Sequence, residues 1–129
     1  MSELAGKYNF VIQQGTTVDF EIQWNDINGD PIDLTPYSAR MQIRSDYGSS
    51  GKLICSLTST LDSDGTGLNL LGANSTKPLT SGSIGVIISA TSSSNFDFGE
   101  AIYDLEVVSG SYVTRLLEGR VKLRKEVTV

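Results

Sequence analysis

The chain has 129 residues, 39% of them hydrophobic and 19% charged, with ten Lys/Arg against fifteen Asp/Glu and a net charge of −5. That length suits one domain burying roughly two-thirds of its surface on folding, and the acidic balance argues against nucleic acid, whose phosphates require a basic stripe. Histidine is absent and cysteine occurs once, which excludes Ser-His and Cys-His catalysis, an internal disulfide framework and a four-thiolate zinc site.

In chain order, residues 1–7 are expected to form a flexible N-terminal arm and residues 8–129 a single domain. The arm shows neither the apolar core nor the cleavage signature of a secretory leader, and no run has the length of a membrane-spanning helix, so synthesis in a cytoplasm and no membrane partner are expected. Tyr8–Gln13 reads as a first strand. Val18, Phe20, Ile22 and Trp24 then alternate with Asp19, Glu21 and Gln23, the period of a strand with one buried face. This run stops at Asn25–Pro31, where Asn28-Gly29 tolerates positive φ and Pro31 removes a ladder donor, giving a hairpin turn. Leu34 and Tyr37 are expected to plug one end of the core, with Asp33 or Thr35 capping the turn through a side-chain oxygen. Alternation resumes with Ala39, Met41 and Ile43 inward, and Arg40, Gln42 and Arg44 outward.

Asp46-Tyr47-Gly48-Ser49-Ser50-Gly51 reads as a flexible polar loop, followed by a strand with Leu53, Cys55 and Leu57 on one face. Cys55 at that spacing is a buried small hydrophobe. Leu68-Asn69-Leu70 makes a short strand. Ile84, Val86 and Ile88 belong to a strand apolar on both sides, either central or covered by a partner. One helical turn with a Thr91 cap is expected before Phe96 and Phe98. Tyr103, Leu105 and Val107 alternate with Asp104 and Glu106, Ser109-Gly110-Ser111 forms a hairpin turn, and a last strand runs from Tyr112 to Leu123. Its inward face shifts between Leu116 and Leu117, and Gly119 marks a bulge or close packing. Val127–Val129 ends the chain in extended form. About eight short strands with turns between them, and at most one helical turn, give an all-β fold: an antiparallel β-sandwich or a small barrel.

Few constellations carry chemistry. Asp26, Asn28 and Asp30 have the alternate spacing of a calcium loop, but Pro31 and Tyr37 stand where that loop needs Gly and a bidentate acid. Asp62, Asp64 and Gly65 read as a turn. Asp97, Glu100 and Asp104 lack a further strong ligand, and Gly65-Thr66-Gly67 lacks the strand-to-helix setting of a phosphate loop. The one basic cluster sets Arg120, Lys122 and Arg124 on one strand face, either solvated or a docking face for an acidic partner. No catalytic, metal or cofactor site is expected, and the chain reads as a non-enzyme.

Gly15, Phe20-x-Ile22-x-Trp24, Gly29-x-Pro31-Ile32-Asp33-Leu34-Thr35-x-Tyr37 and Ala39-x-Met41-x-Ile43-Arg44 follow one another in an order that resembles a small immunoglobulin-like sandwich domain of tailed-bacteriophage virion proteins. Gly82-x-Ile84, the Ser/Thr turn before Phe96, Tyr103-Asp104-Leu105-Glu106, Val113-Thr114-Arg115-Leu116-Leu117-x-Gly119-x-Val121 and Val127-Thr128 continue the likeness to the end of the chain. The resemblance implies a structural role in a virion, as an adaptor or ring component of tail, neck or baseplate. Other virion proteins, and further copies of the chain in a homo-oligomer or ring, are its implied partners. The alternative is a capsid-decoration or host-surface module that binds carbohydrate, for which Tyr8, Tyr47 and Tyr112 would cluster at one loop end.

Overall fold

A computed structural model describes residues 6–46 and 51–127. Among the described residues nine strands form two sheets: β1 (Gly6–Lys7), β2 (Phe10–Gln13), β3 (Val18–Gln23), β4 (Ser38–Arg44), β5 (Leu53–Thr58), β6 (Gly67–Asn69), β7 (Ser83–Ile88), β8 (Glu100–Ser109) and β9 (Tyr112–Arg124). The six-stranded sheet runs β1-β9-β8-β4-β5, with β2 also on β9, and the three-stranded sheet runs β3-β7-β6. This is the strand order of an immunoglobulin-like sandwich, and the expected all-β sandwich is the observed fold. One refinement concerns direction, because β1 and β2 both pair parallel to β9.

The alternation read from β3, β4, β8 and β9 predicts the buried faces. Met41, Ile43, Leu105, Val107 and Val121 are almost fully buried and meet Ile84, Val86 and Ile88 of the opposite sheet in one core. Leu34 is fully buried and Tyr37 half-buried at one end of that core, and Asp33 Oδ1 accepts from both the N–H (2.9 Å) and the hydroxyl (2.6 Å) of Thr35.

The turn after β3 departs from the expected hairpin. Asn25 bridges Pro31 and Asp26 Oδ1 accepts from the N–H groups of Asn28 and Asp30, which closes the turn locally. Yet β3 pairs with β7 and β4 with β8 and β5, so residues 24–37 carry the chain from one sheet to the other. A closed turn fixes its own ends, and the strands beyond it go where their apolar faces find cover.

Three further differences have local causes. The β4–β5 register slips between Ile43 and Arg44, so that Cys55 faces Ile43 but Leu53 faces Arg44. One extra residue reverses side-chain direction, leaving Leu53 exposed instead of aligned with Cys55 and Leu57. The helical turn is α1 (Ala90–Ser94), capped by Ser89, whose Oγ accepts the Ser92 N–H, and not by Thr91. The two-sided burial of β7 comes from a central place in its sheet and from the chain itself, since the backbone of Gly72-Ala73 packs on Gly85.

The N-terminal segment is fastened across β9. β1 faces Leu117-Glu118 and β2 faces 121–124, while Tyr8 and Asn9 span the gap between. A Cβ on Gly119 would overlap the Tyr8 carbonyl oxygen, so the close packing expected at Gly119 is what admits this strap. Asn9 Oδ1 accepts the Arg120 N–H at 2.9 Å, replacing the missing ladder acceptor, and Tyr103 Oη donates to the Tyr8 carbonyl at 2.6 Å. Gly6 and Lys7, placed in the arm by the sequence reading, thus belong to the sheet. The face shift at Leu116-Leu117 is a register break, with Leu105 opposite Leu117 and Glu106 opposite Arg115. Residues 1–5, the loop residues 47–50 and the terminal pair 128–129 lie outside the described residues.

Candidate docking surface

With one face of each strand committed to the core, the outer face of the six-stranded sheet is set by the alternate residues of β4, β8 and β9. Register places them in rows across the sheet: Arg40, Glu106 and Arg115; then Gln42, Asp104 and Glu118; then Arg44, Ile102 and Arg120. An acidic row therefore lies between two basic ones. Arg40 pairs with Glu106 at 2.9 Å and Lys7 with Glu118 at 2.6 Å. Arg115 reaches Asp104, Glu106 and Glu118 at 3.5, 3.7 and 3.8 Å. These pairs lie at the surface, where solvent screening leaves each with little net effect on stability; they hold the side chains in place.

Beside this network runs a groove of about 510 Å³, floored by Ile102 and Tyr103 and rimmed by Lys7, Arg44, Arg115 and Arg120. Asp104 lies against it, and burial, only partly offset by Arg115, pushes its carboxyl above the ordinary range. Glu118 shifts the other way, held low chiefly by its hydrogen bond from Lys7.

Along β9 the outward residues Arg120, Lys122 and Arg124 are exposed while Val121 and Leu123 between them are buried. This is the one-faced basic cluster expected from the sequence. Their side chains make no hydrogen bond or ion pair with another described residue, and the exposed Val11 (52%) lies beside Lys122 on β2. Seven of the ten basic residues stand on this side (Lys7, Arg40, Arg44, Arg115 and the three of the stripe), with five acids (Asp46, Glu100, Asp104, Glu106 and Glu118), a net of +2. The remaining three bases and ten acids leave the rest of the chain at −7.

The acids of the opposite sheet are engaged differently. Glu21 accepts from Lys77 (2.5 Å) and the Ala73 N–H (2.9 Å), which lowers its pKa, the lysine contributing most. Asp26 and Asp33 shape their turn through backbone N–H groups, and Thr35 holds Asp33 low. The calcium-like spacing of Asp26, Asn28 and Asp30 thus belongs to a turn closed by Asp26. Asp64 likewise accepts the Thr66 N–H at 3.0 Å. Asp97, Glu100 and Asp104 are not brought together: Asp97 pairs with Lys125 at 2.8 Å and Asp104 faces Arg115.

Cys55 is half-buried, and burial, reinforced by the charge of Asp62, pushes its thiol up to about 11. That suits a packing role and disfavours a nucleophile. Tyr112 (63%) at the β8–β9 hairpin and Tyr8 (45%) are both exposed, but Tyr8 lies on the strap, stacked on Phe10 and tilted against Phe20. Tyr8 donates its N–H to Glu118, six residues from Tyr112 on β9, so roughly 20 Å of strand separates the two. Tyr47 lies outside the described residues.

The β9 stripe is legible in the sequence, but its extension through Lys7, Arg44 and Arg115 is not. The outward alternation of Arg40, Gln42 and Arg44 was a partial signal; joining it to β9 required the strand order. No protein-family model matches the chain, and no curated protein is similar to it.

Proposed function

We propose that this chain is a structural protein of a tailed-bacteriophage virion, a non-catalytic adaptor or ring component of tail, neck or baseplate that works through protein–protein contacts. The observation that carries a docking role is the outer face of the six-stranded sheet: a positive surface whose cationic stripe has no ion-pair partner among the described residues, on a chain that is otherwise strongly acidic. Surfaces of this kind steer and register partners of opposite charge more than they add raw affinity. The virion setting is supported by the resemblance. The residues that carry it hold the sandwich together: Gly119 beneath the strap, Asp33 and Thr35 in the crossing turn, and Tyr103 tying the strap to β8.

Mass spectrometry of purified particles from the source phage tests this reading, combined with labelling by an antibody against the chain. The expected result is a fixed copy number per particle and label confined to tail, neck or baseplate. Particles that lack the chain, or that release it on a brief wash, would overturn it.

A further inference from the structure

The charge asymmetry has two halves, and the chain carries both. Between Lys7 and Arg40 the sequence contains no basic residue and five acids, Asp19, Glu21, Asp26, Asp30 and Asp33. From Arg115 to Lys125 it contains five basic residues and one acid, Glu118. The acidic stretch is β3 and the turn after it, on the three-stranded sheet, and the basic stretch is β9 in the six-stranded sheet. Because the inner faces of the two sheets share one core, Asp19 and Glu21 look outward from one side of the sandwich and Arg120, Lys122 and Arg124 from the other.

Self-pairing of the stripe, or of the acidic stretch, across a two-fold axis would set like charges together. Stacking in one direction sets stripe against acids, and such a heterologous contact closes into a ring or continues as a filament. Each half also offers an exposed apolar side chain, Ile27 (87%) at the acidic turn and Val11 (52%) beside the stripe. The stripe repeats every two residues, about 7 Å, which suits several separate carboxylates better than a single anion. We propose that copies of this chain associate head-to-tail, the Arg120/Lys122/Arg124 stripe of one seated on the Asp19–Asp33 side of the next. This rests on the assembly role proposed above and names its self-interface.

Sedimentation velocity across a concentration series tests it, at low and high salt (roughly 0.05 and 0.5 M), where screening lengths differ several-fold. Two variants are compared with wild type: Arg120→Gln/Lys122→Gln and Asp19→Asn/Asp30→Asn, all exposed positions. Wild type is expected to associate at low salt and to dissociate at high salt. Each variant alone should associate about tenfold more weakly, as expected for the loss of two exposed ion pairs. Mixed in equal amounts, the two variants should form a 1:1 complex, because one keeps the stripe and the other keeps the acids.

A wild type that stays monomeric overturns the proposal, as does association indifferent to salt and to both variants, or a mixture no larger than its components. Monomeric wild type that is nonetheless present in purified particles would overturn the head-to-tail contact alone, whereas absence from the particles would overturn the virion role. Melting curves identify any variant that fails to fold, and the salt response of wild type remains a test in that event.

Discussion

The two outer surfaces of this sandwich are built on similar inner faces and are used differently. On the six-stranded side, acids and bases alternate by row and bind one another across strands, and a stripe of three cations is left over. On the β3 side, most of the acids are spent on nearby backbone, with Glu21 capping Ala73, Asp26 closing its turn and Asp33 capping Thr35. Carboxylates that satisfy local N–H groups shape the loops that join the sheets. Charges that pair across strands keep long side chains ordered on a broad surface. The fold follows from the inner faces, and the difference in charge belongs to the outside alone.

Substitutions on the two sides should separate these roles. The largest effect is expected at Gly119→Ala, where the new methyl meets the Tyr8 carbonyl and lifts the strap from β9. A loss of about 3 kcal/mol, the upper end of the usual cost of overpacking, should appear in denaturant unfolding. Trp24→Ala comes next. Trp24 is half-buried, its ring edge-on to Tyr37 with centroids 5.1 Å apart, so a cost of about 2–3 kcal/mol is expected, below that of a fully buried aromatic. The counterpart of Gly119 on the other sheet is Gly85, whose added Cβ would lie 2.5 Å from Ala73 Cα. There the opposing group is a loop and not a paired strand, so Gly85→Ala should cost only about 1–2 kcal/mol. Equal losses at Gly85 and Gly119 would erase the distinction drawn between strap and loop.

Arg115→Ala removes the hub of the charged network yet should change stability by less than about 1 kcal/mol, since Arg115 is half exposed. Acidification should act through the carboxylates. Lys77, Lys125 and Lys7 hold Glu21, Asp97 and Glu118 low, and hydroxyl and backbone partners do the same for Asp33 and Asp64. A lowered pKa contributes stability above the unfolded value that is lost as pH falls through the folded one. Asp104 is raised and works in the opposite sense, since ionising it in the fold is unfavourable and protonation relieves this. With five lowered groups against one raised, the melting temperature should fall below about pH 4. A melting temperature that rose on acidification would assign Asp104 the dominant part.

Much of the fold was legible because burial imposes a period of two. Alternation alone places Met41, Ile43, Tyr103, Leu105 and Val107 inward, and Gly119, a glycine interrupting a strand, signals close approach. The partition of strands between sheets was not legible: Asn25–Pro31 has the chemistry of a hairpin turn, and a turn cannot report which sheet its strands join. Nor was the displacement of Leu53, because one bulged residue reverses facing without altering composition. Ser89 capped α1 in place of Thr91 because a cap is fixed by where the helix begins, which here follows from the end of β7. Of the proposed docking surface, the β9 stripe is visible in the sequence, whereas Lys7, Arg44 and Arg115 join it only through register.

The central claim, that the outer face of the six-stranded sheet is the docking surface, is tested most directly by lysine footprinting of the chain in the assembled state against the dispersed protein. Acylation at Lys122 should fall several-fold on assembly, while Lys52, exposed just before β5, keeps its reactivity. Lys122 equally reactive in both states would contradict the claim and place the contact elsewhere on the sandwich.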